Sequence, residues 1–278
     1  PIRRPPAMRR ARAILAWSLA AAAANDEELD HAAAESVACD LPVVDAASFR
    51  NFADFEEQLQ RPPRPVLLEG LTDGWPIGRW GREEYVARLG SLDIMVRPSS
   101  LLHKFGSSAP FRRVPLREYL EAPRSEGVAF ENEFSEVELA VRGEYTLPPL
   151  FAQAVHGKPI FSVARRGDGI GFHRHHQNWL SQLQGRKAWF FASPDLGEDF
   201  GIKFKEMPCR MLTGKTVGVA IQKCVVGPSQ TVFVPSRFYH ATCNLDDFTV
   251  GLGWEGETQS WHPALHATVA GDMDALKA

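Results

Sequence analysis

Gly171-Phe-His-Arg-His-His-Gln-Asn-Trp179, followed by Gly185-Arg-Lys-Ala-Trp-Phe-Phe191 and later by Val234-Pro-Ser-Arg-Phe-Tyr-His240, is the part of the chain from which its architecture is read. Short apolar runs bounded by Gly, Pro and Asn are strand signals. Successive side chains on a strand point to opposite faces, so β-structure through the first segment predicts that His173 and His175 share one face. His240 follows the strand-like run Thr231-Val-Phe-Val-Pro235 and precedes a second, Phe248-Thr-Val-Gly-Leu-Gly-Trp254. If these strands face one another in a barrel, His173, His175 and His240 form a three-cornered facial metal site whose remaining positions stay open. The competing reading of an isolated His-x-His pair is an accidental match, nine histidines being spread over the chain.

Two further residues join the set by strand parity. Lys187 alternates in phase with Trp189 and Phe191, which predicts a lysine turned toward a buried face, where it requires an anionic partner. In the last strand Thr249, Gly251 and Gly253 lie opposite Phe248, Val250, Leu252 and Trp254. That small face is expected to leave room for a ligand beside Thr249, although glycine also marks bulges.

The order G-x-G-F-H-x-H, G-R-K-x-W-F-F and V-P-S-R-F-Y-H-A-T-x-N-L resembles the jumonji-C (JmjC) family of the cupin superfamily. The upstream Arg64-Pro-Val-Leu-Leu-Glu-Gly-Leu-Thr-Asp-Gly-Trp-Pro76 is similar to that family's lead-in strand, and the resemblance covers residues 42 to 256. Within the family the likeness is greatest to jumonji-domain proteins of the endoplasmic reticulum lumen that carry an H-x-H motif. The resemblance implies a double-stranded β-helix (jelly roll) and an Fe(II)- and 2-oxoglutarate-dependent dioxygenase hydroxylating a protein or peptide substrate. It further implies that His173 and His240 are metal ligands, that Lys187 holds the far carboxylate of 2-oxoglutarate, and that Asn178 stands where related enzymes place a helper amide. The chain departs from the family at the second ligand, where His175 replaces an acidic residue. Imidazole binds neutral and leaves the full charge of the cation to be balanced elsewhere. Three histidines also suit Zn(II). The alternative function is a catalytically inactive cupin-like protein that binds a metal or a partner; a zinc hydrolase lacks a glutamate that sequence alone places as its general base.

The wider composition agrees with one large domain. With 278 residues, 44% of them hydrophobic, the chain can bury a substantial core. Thirty-one basic and thirty-four acidic residues give a net charge of −3, so no global electrostatic footprint for nucleic acid exists. Residues 1–24 have a basic start from Met8, an apolar middle and small residues before an acidic run. This pattern reads as a secretory signal peptide, an organelle transit peptide being the competitor, and its apolar part is too short to span a bilayer. Secretory entry makes Cys39, Cys209, Cys224 and Cys243 disulfide candidates with three possible connectivities. The placement in the endoplasmic reticulum lumen comes from the resemblance.

Residues 25–41 read as an acidic linker. An α/β segment follows, with helix-like stretches at 47–60, 82–89 and 114–120 and a strand at 93–96. From about residue 158 to 256 the pattern is that of the mainly β core, and residues 257–278 read as a tail or terminal helix. Leu196 to Gly218 breaks the strand pattern and is expected to be an insertion across the barrel mouth.

Overall fold

The computed structural model describes residues 37–97, 112–122, 128–131, 136–152, 158–197, 200, 208–213 and 218–256. The signal peptide, most of the linker before residue 41, the tail after residue 256 and parts of the 196–218 insertion lie outside the described residues.

The segment before the barrel runs β1 (Val43–Asp45), α1 (Phe52–Leu59), β2 (Val66–Glu69), α2 (Arg82–Leu89), β3 (Asp93–Arg97), β4 (Arg112–Pro115), α3 (Leu116–Glu121), β5 (Val128–Glu131) and α4 (Glu136–Val141). The first helix starts later than its periodicity predicts. The Asn51 side chain accepts the Asp54 N–H, so the α-helix begins at Phe52, and a separate 3-10 turn at Ala46–Ser48 is capped by Asp45. The second helix matches the expected stretch, with Glu83 and Glu84 in its first turn and Arg88 in its last, as the helix dipole favours.

Eight strands then form the barrel: β6 (Lys158–Ala164), β7 (Gly169–His173), β8 (Asn178–Gln184), β9 (Lys187–Ala192), β10 (Gln222–Val226), β11 (Thr231–Val234), β12 (Tyr239–Asn244) and β13 (Thr249–Glu255). Apart from β9 and β10, which are antiparallel neighbours in one sheet, successive strands alternate between two antiparallel sheets, β11-β8-β13-β6 in the larger and β10-β9-β12-β7 in the smaller. This alternation makes a double-stranded β-helix, the expected jelly roll. β2 and β1 extend the larger sheet beyond β11, and β5, β3 and β4 extend it beyond β6.

Three apolar clusters follow from strand parity. Ile160, Leu180, Trp189, Phe191, Val232 and Val234 fill the interior between the sheets. Phe161, Trp179, Phe233, Leu252 and Trp254 face outward from the larger sheet and receive the helices. There Phe55 of α1 meets Phe233 edge-on at 5.0 Å, and Phe151 stacks on Phe233 at 5.5 Å. Each such pair adds about 0.5–1.5 kcal/mol beyond the area it buries. The third cluster covers the outer face of the smaller sheet, where Phe200, Met211 and Leu212 pack on Phe172, Phe190 and Tyr239. The described part of the 196–218 insertion therefore lies against the barrel wall instead of across its mouth. Its apolar side chains match a sheet face that would otherwise stay exposed, and a Cys209–Cys243 disulfide fixes it to β12. A second disulfide, Cys39–Cys224, ties the segment before β1 to β10.

Candidate metal centre

The smaller sheet brings His173 and His240 together directly, because they are cross-strand partners on β7 and β12. The pairing contains a register shift: two steps along β12, from His240 to Thr242, answer three along β7, from His173 to Ile170. The extra residue on β7 breaks simple alternation, so Ile170 and His173 both line the interior while Phe172 packs outside. The irregular backbone also places the Gly171 carbonyl 2.9 Å from His173 Nδ1.

His175 reaches the same place by another route. It was expected to share a strand with His173, but β7 ends at His173 and His175 stands in the following loop. That loop is held by backbone and side-chain hydrogen bonds. Arg237 N–H donates to the His175 carbonyl at 2.9 Å, Gln177 N–H to Ser236 Oγ at 3.1 Å, and Gly256 N–H to the Gln177 carbonyl at 3.0 Å. Arg237 adopts φ 69°, a left-handed conformation uncommon for a residue with a side chain.

The three rings converge. Centroids are 4.2 Å apart for His173 and His240, 4.7 Å for His175 and His240, and 5.3 Å for His173 and His175. One ligand atom from each lies within 4.8 Å of the others. Every Nδ1 faces a backbone carbonyl: Gly171 for His173, His176 at 2.7 Å for His175, and Phe238 at 3.0 Å for His240. In the tautomer that donates from Nδ1–H, Nε2 is the nitrogen that can bind a cation. Burial, reinforced by the neighbouring imidazoles, lowers His173 to about 3 and holds His240 well below its ordinary value. Both rings are therefore neutral at neutral pH, the form that binds metal.

Behind the histidines is a pocket of about 320 Å³ with its mouth included, walled by Ile160, Ile170, Leu180 and Trp189. Lys187 enters it from the first residue of β9, in phase with Trp189 as parity predicted. It is 3% exposed, donates to Ser162 Oγ at 3.1 Å, and has no carboxylate partner among the described residues. Burial pushes its ammonium down to about 7. Asn178, at the start of β8, also lines the pocket, and its Oδ1 is buried without a hydrogen-bond partner. Thr249 is not a lining residue. Its hydroxyl is engaged by Asn244 Oδ1 at 2.7 Å and the Ala164 carbonyl at 3.2 Å. Nor do the glycines of β13 leave ligand space. A Cβ on Gly253 would lie 1.8 Å from the Trp179 carbonyl oxygen, and one on Gly251 would meet the Leu180 side chain at 3.2 Å, so the face is consumed by close strand approach.

Sequence reasoning passed over Glu255. It closes β13, and its Oε1 lies 3.4 Å from His175 Nδ1. Extending the inward parity of Gly251 and Gly253 by one step would have found it.

No protein-family model matches the chain. It is 28% identical over 211 residues to human JmjC domain-containing protein 8, covering 70% of this chain and 76% of that protein. Its relatives are JmjC-domain proteins. Against the Arabidopsis thaliana arginine-specific demethylase JMJ22, the JmjC match is 25% identical over 222 residues, 70% of this chain and 42% of the demethylase. Against the Caenorhabditis elegans bifunctional arginine demethylase and lysyl-hydroxylase psr-1 it is 22% identical over 232 residues, 72% of this chain and 57% of that protein. The convergent imidazoles thus occur in a barrel whose sequence is similar to those of JmjC-domain proteins.

Proposed function

We propose that the protein is an Fe(II)- and 2-oxoglutarate-dependent oxygenase that hydroxylates a protein side chain in the lumen of the secretory pathway, His173, His175 and His240 holding the metal. The observation that carries this reading is the convergence of three imidazoles at one end of a pocket that also encloses a buried lysine with no carboxylate partner among the described residues. The residues fit the groups. Three imidazoles form a facial set with open positions, and Lys187 and the orphaned Asn178 Oδ1 are polar groups that a ligand would satisfy.

Each residue then has a defined task. His173 and His240 hold the cation without first having to lose protons at neutral pH. Lys187, charged in the presence of an anion, grips the distal carboxylate of 2-oxoglutarate, and Ser162 orients its ammonium. Ile160, Ile170, Leu180 and Trp189 exclude water around the co-substrate chain. Asn178 offers its side-chain amide at the pocket wall. When bound, iron with 2-oxoglutarate and oxygen supplies the oxidising power, and the co-substrate leaves as succinate and carbon dioxide. The arginine demethylase and the bifunctional arginine demethylase and lysyl-hydroxylase among the similar proteins support a protein substrate.

The two disulfides support the lumenal setting, because such bonds persist in oxidising compartments. No described helix is long and apolar enough to cross a membrane. Incubation of purified protein with Fe(II), ascorbate and 2-oxoglutarate tests the activity. Succinate should accumulate with the wild-type protein and vanish with His173→Ala. A stoichiometric zinc ion with no 2-oxoglutarate binding would end the oxygenase reading in favour of a metal- or partner-binding barrel.

A further inference from the structure

The imidazole at the position where the family that this chain resembles places an acidic ligand has a carboxylate behind it. His173 and His240 direct Nδ1 at the neutral carbonyls of Gly171 and Phe238. His175 directs Nδ1 at the His176 carbonyl and also stands 3.4 Å from Glu255 Oε1. Both side chains are largely withdrawn from solvent, 17% exposed for His175 and 15% for Glu255. The pair is held by backbone as well. The Gly256 N–H bonds the Gln177 carbonyl, so the end of β13 and the loop carrying His175 are joined next to the contact.

We propose that Glu255 is a positioning residue that supplies, through the ring of His175, the negative charge that a three-imidazole centre lacks, so that retention of the cation depends on it. This rests on the metal-centre reading above. Glu255 approaches Nδ1, the nitrogen that also faces the His176 carbonyl, so it acts on the ligand and does not join the ligand set. The Nδ1–H itself is taken by the His176 carbonyl, so Glu255 acts through its charge: an anion 3.4 Å from Nδ1 polarises the ring and increases the electron density that the metal-binding nitrogen donates. It also places an anion one imidazole away from a divalent cation, in surroundings where charges are weakly screened. The carboxylate then reaches the centre indirectly, from the end of β13 in the larger sheet.

The test is Co(II) titration of the metal-free full-length chain, followed by its visible absorption, with Glu255→Gln, Glu255→Asp and His240→Ala compared with wild type. If charge is what matters, affinity falls in the order wild type, Asp, Gln, with the Gln variant about 10- to 100-fold weaker than wild type and its Co(II) spectrum shifted. Glutamine preserves size and aspartate preserves charge, so a purely steric role reverses the order of the two variants. An affinity for Glu255→Gln equal to or above that of Glu255→Asp overturns the proposal. If that happens while His240→Ala still abolishes binding, the metal centre stands and only the role of Glu255 falls. Absence of Co(II) binding by wild type removes both.

Discussion

Replacing Lys187 by methionine should stabilise the metal-free protein and at the same time destroy its affinity for a dicarboxylate. Methionine is close in length and volume and fills the same slot among Ile160, Leu180 and Trp189. The magnitude follows from the ammonium, which burial lowers from 10.5 to about 7. At 1.36 kcal/mol per unit, carrying the charge into the barrel costs about 5 kcal/mol below pH 7, where lysine is protonated in both folded and unfolded chains. Loss of the hydrogen bond to Ser162 returns about 1 kcal/mol, leaving the variant about 4 kcal/mol more stable. Between pH 7 and 10.5 the unfolded chain keeps a proton that the folded one has released. Wild-type stability therefore rises there by about 1.4 kcal/mol per pH unit relative to the variant, and the advantage of methionine fades. Urea unfolding of metal-free wild type and Lys187→Met at pH 6 and pH 9 measures this, with 2-oxoglutarate binding followed by calorimetry. Equal stabilities at both pH values, or a variant that binds 2-oxoglutarate normally, would refute the placement of an uncompensated cation in the pocket.

Two more perturbations separate parts of the fold. Gly253→Ala should destabilise by about 3 kcal/mol, because its Cβ would meet the Trp179 carbonyl oxygen at 1.8 Å, whereas Gly251→Ala meets only the flexible Leu180 side chain and should cost far less; comparable urea midpoints for the two would contradict the strand approach described. Cys209→Ser opens a link between residues separated by 34 positions and should lower stability by about 3–4 kcal/mol, yet leave metal binding intact, because the fixed segment packs on the outer wall. Loss of Co(II) binding in that variant would place the insertion at the mouth after all.

Much of the barrel was legible because strands write their burial in alternation. Lys187, Trp189 and Phe191 point inward together, and the outward set Val250, Leu252 and Trp254 meets the helices. His173 and His240 could be paired only by assuming facing strands, and they prove to be direct cross-strand partners. His175 was placed beside them by a parity that does not apply, since it lies past the end of β7 and is held by a backbone hydrogen bond from Arg237, a long-range contact without periodic signature. Thr249 failed for a related reason. Alternation gives the face of a residue but not the depth at which it sits or which neighbours claim its hydroxyl. The disulfide pairing was equally closed to sequence, because it joins residues brought close only by the completed topology.

The two disulfides overlap along the chain, one spanning residues 39 to 224 and the other 209 to 243. Every peptide bond between Cys39 and Cys243 is thus enclosed by at least one covalent ring, and all three convergent histidines fall inside that interval. A protease that nicks the oxidised protein once within it divides the polypeptide without releasing a fragment, and the imidazoles remain parts of one covalent molecule until a reductant opens the bridges.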